Sequence, residues 1–137
     1  AYLYPIASRQ NFTSNPYISN FIQSIESHYS FLNKNRPSSI GILDFIRFIF
    51  SVDTIFLYWT ENIVDKKFGY LQSIFLLLLI KIIHLLRVDI EIGYVVHNKV
   101  SHTKNDLKLK KRIVKFLILH SNFIIFHDKS FLFSPSY

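Results

Sequence analysis

The sequence predicts an α+β fold: a two-helix pair followed by a small antiparallel β-hairpin or sheet, with an extended N-terminal segment in front. Three observations lead there. Residues 40–59 and 70–88 are dense enough in Ile, Leu and Phe to be buried helices. Ile90, Ile92, Tyr94 and Val96 then alternate with Glu91, Gly93, Val95 and His97, the period of two that marks a strand. Leu107 and Leu109 alternate in turn with Lys108 and Lys110 ahead of β-branched Ile113-Val114, which predicts a second strand across a polar loop at residues 99–106.

Residues 1–39 are broken by the clusters Asn11-Phe12-Thr13-Ser14-Asn15-Pro16 and Asn33-Lys34-Asn35-Arg36-Pro37, so they are expected to form an extension with at most one short helix near 18–31. Ser38-Ser39 offers an N-terminal cap for the first long helix. Residues 60–69 are polar and charged and read as a connector. In the second helix Lys81, His84 and Arg87 recur every three residues, which makes one arc basic and leaves the rest apolar. The expected organisation is an extension over 1–39, one domain over 40–128 with an insertion near 60–78, and a tail over 129–137.

Composition narrows the function. With 137 residues, 50% of them hydrophobic and 18% charged, the chain has the apolar content of a single folded domain and not of a disordered one. It has no Cys, which removes disulfides, thiolate nucleophiles and Cys-ligated zinc. The abundance of Phe, Tyr, Ile, Lys and Asn fits an A+T-rich genome such as an organellar one, and nothing at the N-terminus reads as a signal peptide. A spanning helix needs about 20 mainly apolar residues, and Asp53, Lys67, Lys81, Lys115 and His120 interrupt every apolar stretch before that length, so no membrane span is expected.

The charge is local. Residues 98–115 hold seven cations against Asp106, six of the net seven positive charges of the chain. Like charges packed so closely repel unless an anion neutralises them, and a basic patch on a loop and strand edge suits RNA phosphates. The candidate RNA-binding residues are therefore Lys81, Arg87, Asn98, Lys99, Lys104, Lys108, Lys110, Lys111, Arg112 and Lys115. Gly93 would serve a positive φ or a close approach of backbone to ribose. His97, His102 and Asp106 match no established metal-ligand spacing. No paired carboxylates, nucleophile with base or Gly-rich phosphate loop stands out, so neither an enzyme nor a cofactor is expected.

Arg87, Ile90, Gly93, Val95, His97 and Asn98, followed by the basic loop and Leu109-Lys110, resemble the signature of the small-subunit ribosomal protein S-four family. Val52-Asp53-Thr54-Ile55-Phe56 is similar to the Leu-Asp opening of that family's first helix. The departures are a longer spacing from Asp53 to Arg87, and Ser51, Ile83 and Lys99 where the family has Arg, Arg and Gly. The resemblance implies a structural constituent of the mitochondrial small ribosomal subunit that binds rRNA and adjoins other ribosomal proteins, so that the chain is not a free monomer.

A second resemblance gives the alternative. His84, Tyr94 to His97 and His127-Asp128 are similar to the membrane-anchor subunit of succinate dehydrogenase, where such a His ligates haem. Here Gly93-Tyr94 replaces that family's Asp-Tyr. This resemblance implies a membrane-anchor subunit of succinate dehydrogenase or of another mitochondrial inner-membrane respiratory complex. In either case Ile74 to Ile80 place apolar side chains on every face of the second helix, so a further surface is expected to cover part of it.

Overall fold

The computed structural model describes residues 1–5, 16–34, 41–86, 89–96 and 106–126. In chain order the elements are β1 (Tyr2–Tyr4), α1 (Pro16–Ile25), α2 (Gly41–Phe48), a 3-10 turn (Ile49–Ser51), β2 (Thr54–Tyr58), a second 3-10 turn (Thr60–Asp65), α3 (Gly69–Leu85), β3 (Glu91–Val96), α4 (Leu107–His120) and β4 (Phe123–Phe126). The strands form one sheet in the order β1-β2-β3-β4, every neighbouring pair parallel. The mixture of helix and strand is as expected; the antiparallel hairpin is not what forms.

The physical reason lies in residues 107–120, expected to open with a strand. Lys110, Ile113 and Leu117 are buried, a helical spacing of three and four that puts one stripe on the sheet. Alternation across only Leu107 to Lys110 was too short to specify a strand against that longer period. Because the segment is a crossover helix, the strand that follows it runs parallel to β3.

The stretch expected as one helix over 40–59 is likewise divided. Val52 is extended, with φ −138° and ψ 148°, and the chain passes into β2. All five residues of β2 are buried, since helices cover both faces of the sheet, and such a strand shows a continuous apolar run without alternation. Val52 to Phe56 thus lead into and form a strand, where the ribosomal resemblance implied a helix opening.

Alternate residues build two cores. Tyr2, Tyr4, Ile55, Leu57, Ile92, Tyr94 and Val96 meet α2, α3 and α4 on one face. Leu3, Phe56, Tyr58 and Val95 meet α1 on the other, through Ile18, Phe21 and Ile22 at helical spacing. Phe56 is the centre of that second core, its ring 5.0 to 5.8 Å from those of Phe21, Tyr29, Phe31 and Phe123. Residues expected to be an extension therefore supply both the edge strand and the helix that covers this face.

The second helix is close to expectation, and residues 60–78, expected as an insertion, are a 3-10 turn and half of α3 packed on the sheet. Gly69 makes that packing possible: a Cβ there would lie 2.2 Å from the Ile63 carbonyl oxygen. Gly93 has no positive φ; it leaves room for the ring of Phe123, its register partner on β4.

Candidate functional site

A parallel sheet sends all its carboxyl ends to one edge, the edge at which open α/β sheets bind ligands; the sequential order β1-β2-β3-β4 has no reversal to open a crevice there, so any site is built by the turns and helix starts along it. Among the described residues, backbone strain gathers in the connections after β2 and at the starts of α3 and α4. Trp59, Phe68 and Asp106 have φ of 51°, 59° and 48°, a left-handed conformation that non-glycine residues adopt at a cost.

Between these connections lies a group of buried polar side chains. Glu61 is 9% exposed, and the Tyr94 hydroxyl donates to its Oε2 at 3.2 Å. Lys110, 3% exposed, reaches from the first turn of α4 to Asp65, its Nζ donating to Oδ2 at 2.7 Å. The Thr60 hydroxyl is buried at the start of the 3-10 turn and has no hydrogen-bond partner among the described residues. Burial raises the Glu61 pKa above the ordinary carboxylate value; its backbone hydrogen bond, the Tyr94 hydroxyl and the charge of Lys110 oppose that rise. The edge therefore offers a carboxyl group that holds its proton more readily than usual, a fixed ammonium and an unused hydroxyl.

The predicted RNA-binding residues divide. Lys108, Lys111, Arg112 and Lys115 are exposed at i, i+3, i+4 and i+7, so they share the outward stripe of α4, and no described carboxylate pairs with them. Lys81 is exposed on α3 beside them, its Nζ 5.8 Å from the centre of the Phe116 ring. Lys110 departs from the expectation: it faces the sheet and is held by Asp65. Arg87, Asn98, Lys99 and Lys104 lie outside the described residues, as do His97, His102 and the Ser38-Ser39 cap. His84 shares a 2.8 Å hydrogen bond with the carbonyl oxygen of His120. No helix of the described residues is long and apolar enough to cross a membrane.

Thr60, Glu61, Asp65 and Tyr94 were not legible as a site. Glu61 and Asp65 sit in a charged connector that reads as solvent-facing, and nothing local in the sequence signals burial. Lys110 did have a signal, since it precedes Ile113 and Leu117 by three and seven residues.

The opposite edge of the sheet is acidic. Asp53, Asp89 and Glu91, with Thr54, Ile90 and Asn122, line a depression of about 480 Å³ at the amino ends of β2, β3 and β4. No group of metal-ligating side chains converges there or elsewhere among the described residues. No family model matches the chain, and neither a curated protein nor a solved structure matches it.

Proposed function

We propose that this chain is a ligand-binding α/β domain whose site is the carboxyl edge of the sheet, between the 3-10 turn at Thr60–Asp65 and the first turn of α4. The observation that carries this reading is the burial of Thr60, Glu61 and Lys110 together at that edge. Glu61 and Lys110 have partners in Tyr94 and Asp65, whereas the Thr60 hydroxyl has none among the described residues, and a buried polar group left over calls for an explanation such as a ligand or water. The ligand is small and polar with an anionic group: Thr60 and Glu61 supply hydrogen bonds, while Lys108 and Lys111 raise the potential on the outer side. Titrating pyrophosphate and a nucleoside diphosphate into ¹⁵N-labelled protein tests it. Amide shifts should concentrate at residues 59–65 and 106–111, and Thr60→Val should weaken binding at least tenfold with the fold unchanged. Shifts confined to the outward stripe of α4 would reject this site.

A second reading rests on that stripe and keeps the expectation of a mitochondrial small-subunit ribosomal protein binding rRNA. Four cations on one helix face, paired with no carboxylate among the described residues, suit a phosphate backbone without any hairpin, with Lys81 alongside. Its affinity for RNA would fall with salt by about 0.7 per phosphate contact on logarithmic axes. A salt-independent interaction would exclude it.

A further inference from the structure

We propose that α3 is a dimerisation helix, packing antiparallel against α3 of a second copy of this chain. Its inward stripe, Gly69, Ser73, Leu76, Ile80 and Ile83, lies on the sheet. The opposite stripe is Leu71, Phe75, Leu78, Ile82 and Leu85, with Phe68 immediately before the helix in the same spacing. These six side chains are 42% to 81% exposed.

The steps between them alternate three and four: 68, 71, 75, 78, 82, 85. That narrow repeat is the seam of one helix packing along another, with each side chain entering a hole of its partner. The seam is also symmetric about its midpoint between residues 76 and 77. Turned end over end, it sets Phe75 against the partner's Leu78, Leu71 against the partner's Ile82, and Phe68 against the partner's Leu85. A second copy therefore supplies complementary layers over the whole helix, about 25 Å at 1.5 Å per residue.

Charge selects the same arrangement. Lys81 is the sole Lys, Arg, Asp or Glu within α3. A parallel pair would set the two Lys81 side by side and align the helix dipoles. The antiparallel pair separates the lysines by nine residues, roughly 14 Å along the axis, and opposes the dipoles. A lipid surface is the poorer fit. Helices lying in a membrane interface present cations on their polar face, whereas the back of α3 is buried against its own sheet.

Sedimentation equilibrium of the full chain across a concentration series tests the proposal, with circular dichroism to confirm folding. The chain should dimerise reversibly. Leu71→Lys and Ile82→Glu, each at an exposed position, should each shift the midpoint at least tenfold toward monomer. The double variant should recover most of the loss, since residue 71 of each copy then faces residue 82 of the other with opposite charge. A folded chain that is monomeric at every concentration, or one that aggregates without a defined stoichiometry, would overturn the proposal. A double variant no better than the singles would overturn the antiparallel pairing. A monomer that co-sediments with phosphatidylserine and phosphatidylcholine vesicles through the same residues would replace the second copy with a membrane.

Discussion

The carboxamide of Asn33 closes the free edge of β1 on Leu3, its Oδ1 accepting the Leu3 N–H at 3.1 Å and its Nδ2 donating to the Leu3 carbonyl at 2.7 Å. One side chain thus occupies both groups that Leu3 turns away from β2, as a neighbouring strand would. The Leu32 N–H, bonded to the Ala1 carbonyl at 2.9 Å, extends the closure by a further bond. An open strand edge invites pairing with another chain, and this one is covered.

Asn33→Ala should destabilise the protein by about 1–3 kcal/mol, because it strands a buried donor and a buried acceptor in a strand that is otherwise enclosed. Asn33→Asp should also destabilise, since the carboxylate has no hydrogen to give the Leu3 carbonyl. Urea denaturation measures both. An Asn33→Ala midpoint equal to that of the parent would mean that water replaces the side chain without loss.

The two packed glycines should respond differently to alanine. At Gly69 the new Cβ meets backbone, 2.2 Å from the Ile63 oxygen and 2.4 Å from the Val64 oxygen, so the 3-10 turn or the start of α3 has to move. At Gly93 it meets the Phe123 ring at 2.4 Å, a side chain on the edge strand β4. Gly93→Ala should cost about 1–3 kcal/mol and be partly restored by Phe123→Leu, whereas Gly69→Ala should cost more, with no side-chain change able to restore it. Equal losses at the two sites would contradict the packing described.

Titration of Glu61 should be visible in the stability. Burial raises its pKa in the folded chain above its value in the unfolded chain, so the folded state holds the proton over a range where the unfolded state has released it. That contribution is fully present below the ordinary glutamate pKa and is lost as pH rises through the raised value. Tyr2 acts in the same sense at alkaline pH, its phenol pushed up to about 12 chiefly by burial and secondarily by Asp44. Denaturant midpoints measured against pH should fall above the ordinary glutamate range, and Glu61→Gln should flatten that fall. A parent whose stability increases across the window would show that the charged form is the one the fold prefers.

Legibility followed how much of each element's period the chain displays. Ile90, Ile92, Tyr94 and Val96 announce β3, and the length of the apolar run announces α3. In β2, Thr54 to Tyr58 are buried on both sides, so the strand has no alternation and merges with the apolar residues of α2. Its neighbour β1 is three residues long, too short to show any period, and only pairing with β2 identifies it. The basic character of residues 98–115 was legible from composition, whereas the division of the cations from Lys108 to Lys115 into an outward stripe and one inward lysine needed the helix. The parallel direction of β4 against β3 follows from α4, whereas a strand at Leu107 to Lys110 would have implied a hairpin there.

Lys110 and Lys111 are adjacent in sequence and opposite in role, so the two alanine variants should separate. Lys111 is exposed, unpaired among the described residues and free to meet a polyanion, so Lys111→Ala should leave stability unchanged within about 0.5 kcal/mol. Lys110 holds Asp65 and lies near Glu61, tying α4 to the turn that follows β2. Breaking a fully buried pair costs about 3–5 kcal/mol, and Asp65 keeps 21% of its side chain exposed, so Lys110→Ala should cost less, roughly 2–3 kcal/mol. The variants should differ the other way in binding. Lys111→Ala, combined with Arg112→Ala, should reduce RNA affinity and flatten its salt dependence, while a folded Lys110→Met chain should keep both and lose the small anionic ligand. Thermal denaturation with filter binding on the same preparations reads each effect. Equal stability losses for Lys110→Ala and Lys111→Ala would show that the pair with Asp65 does not hold α4 in place.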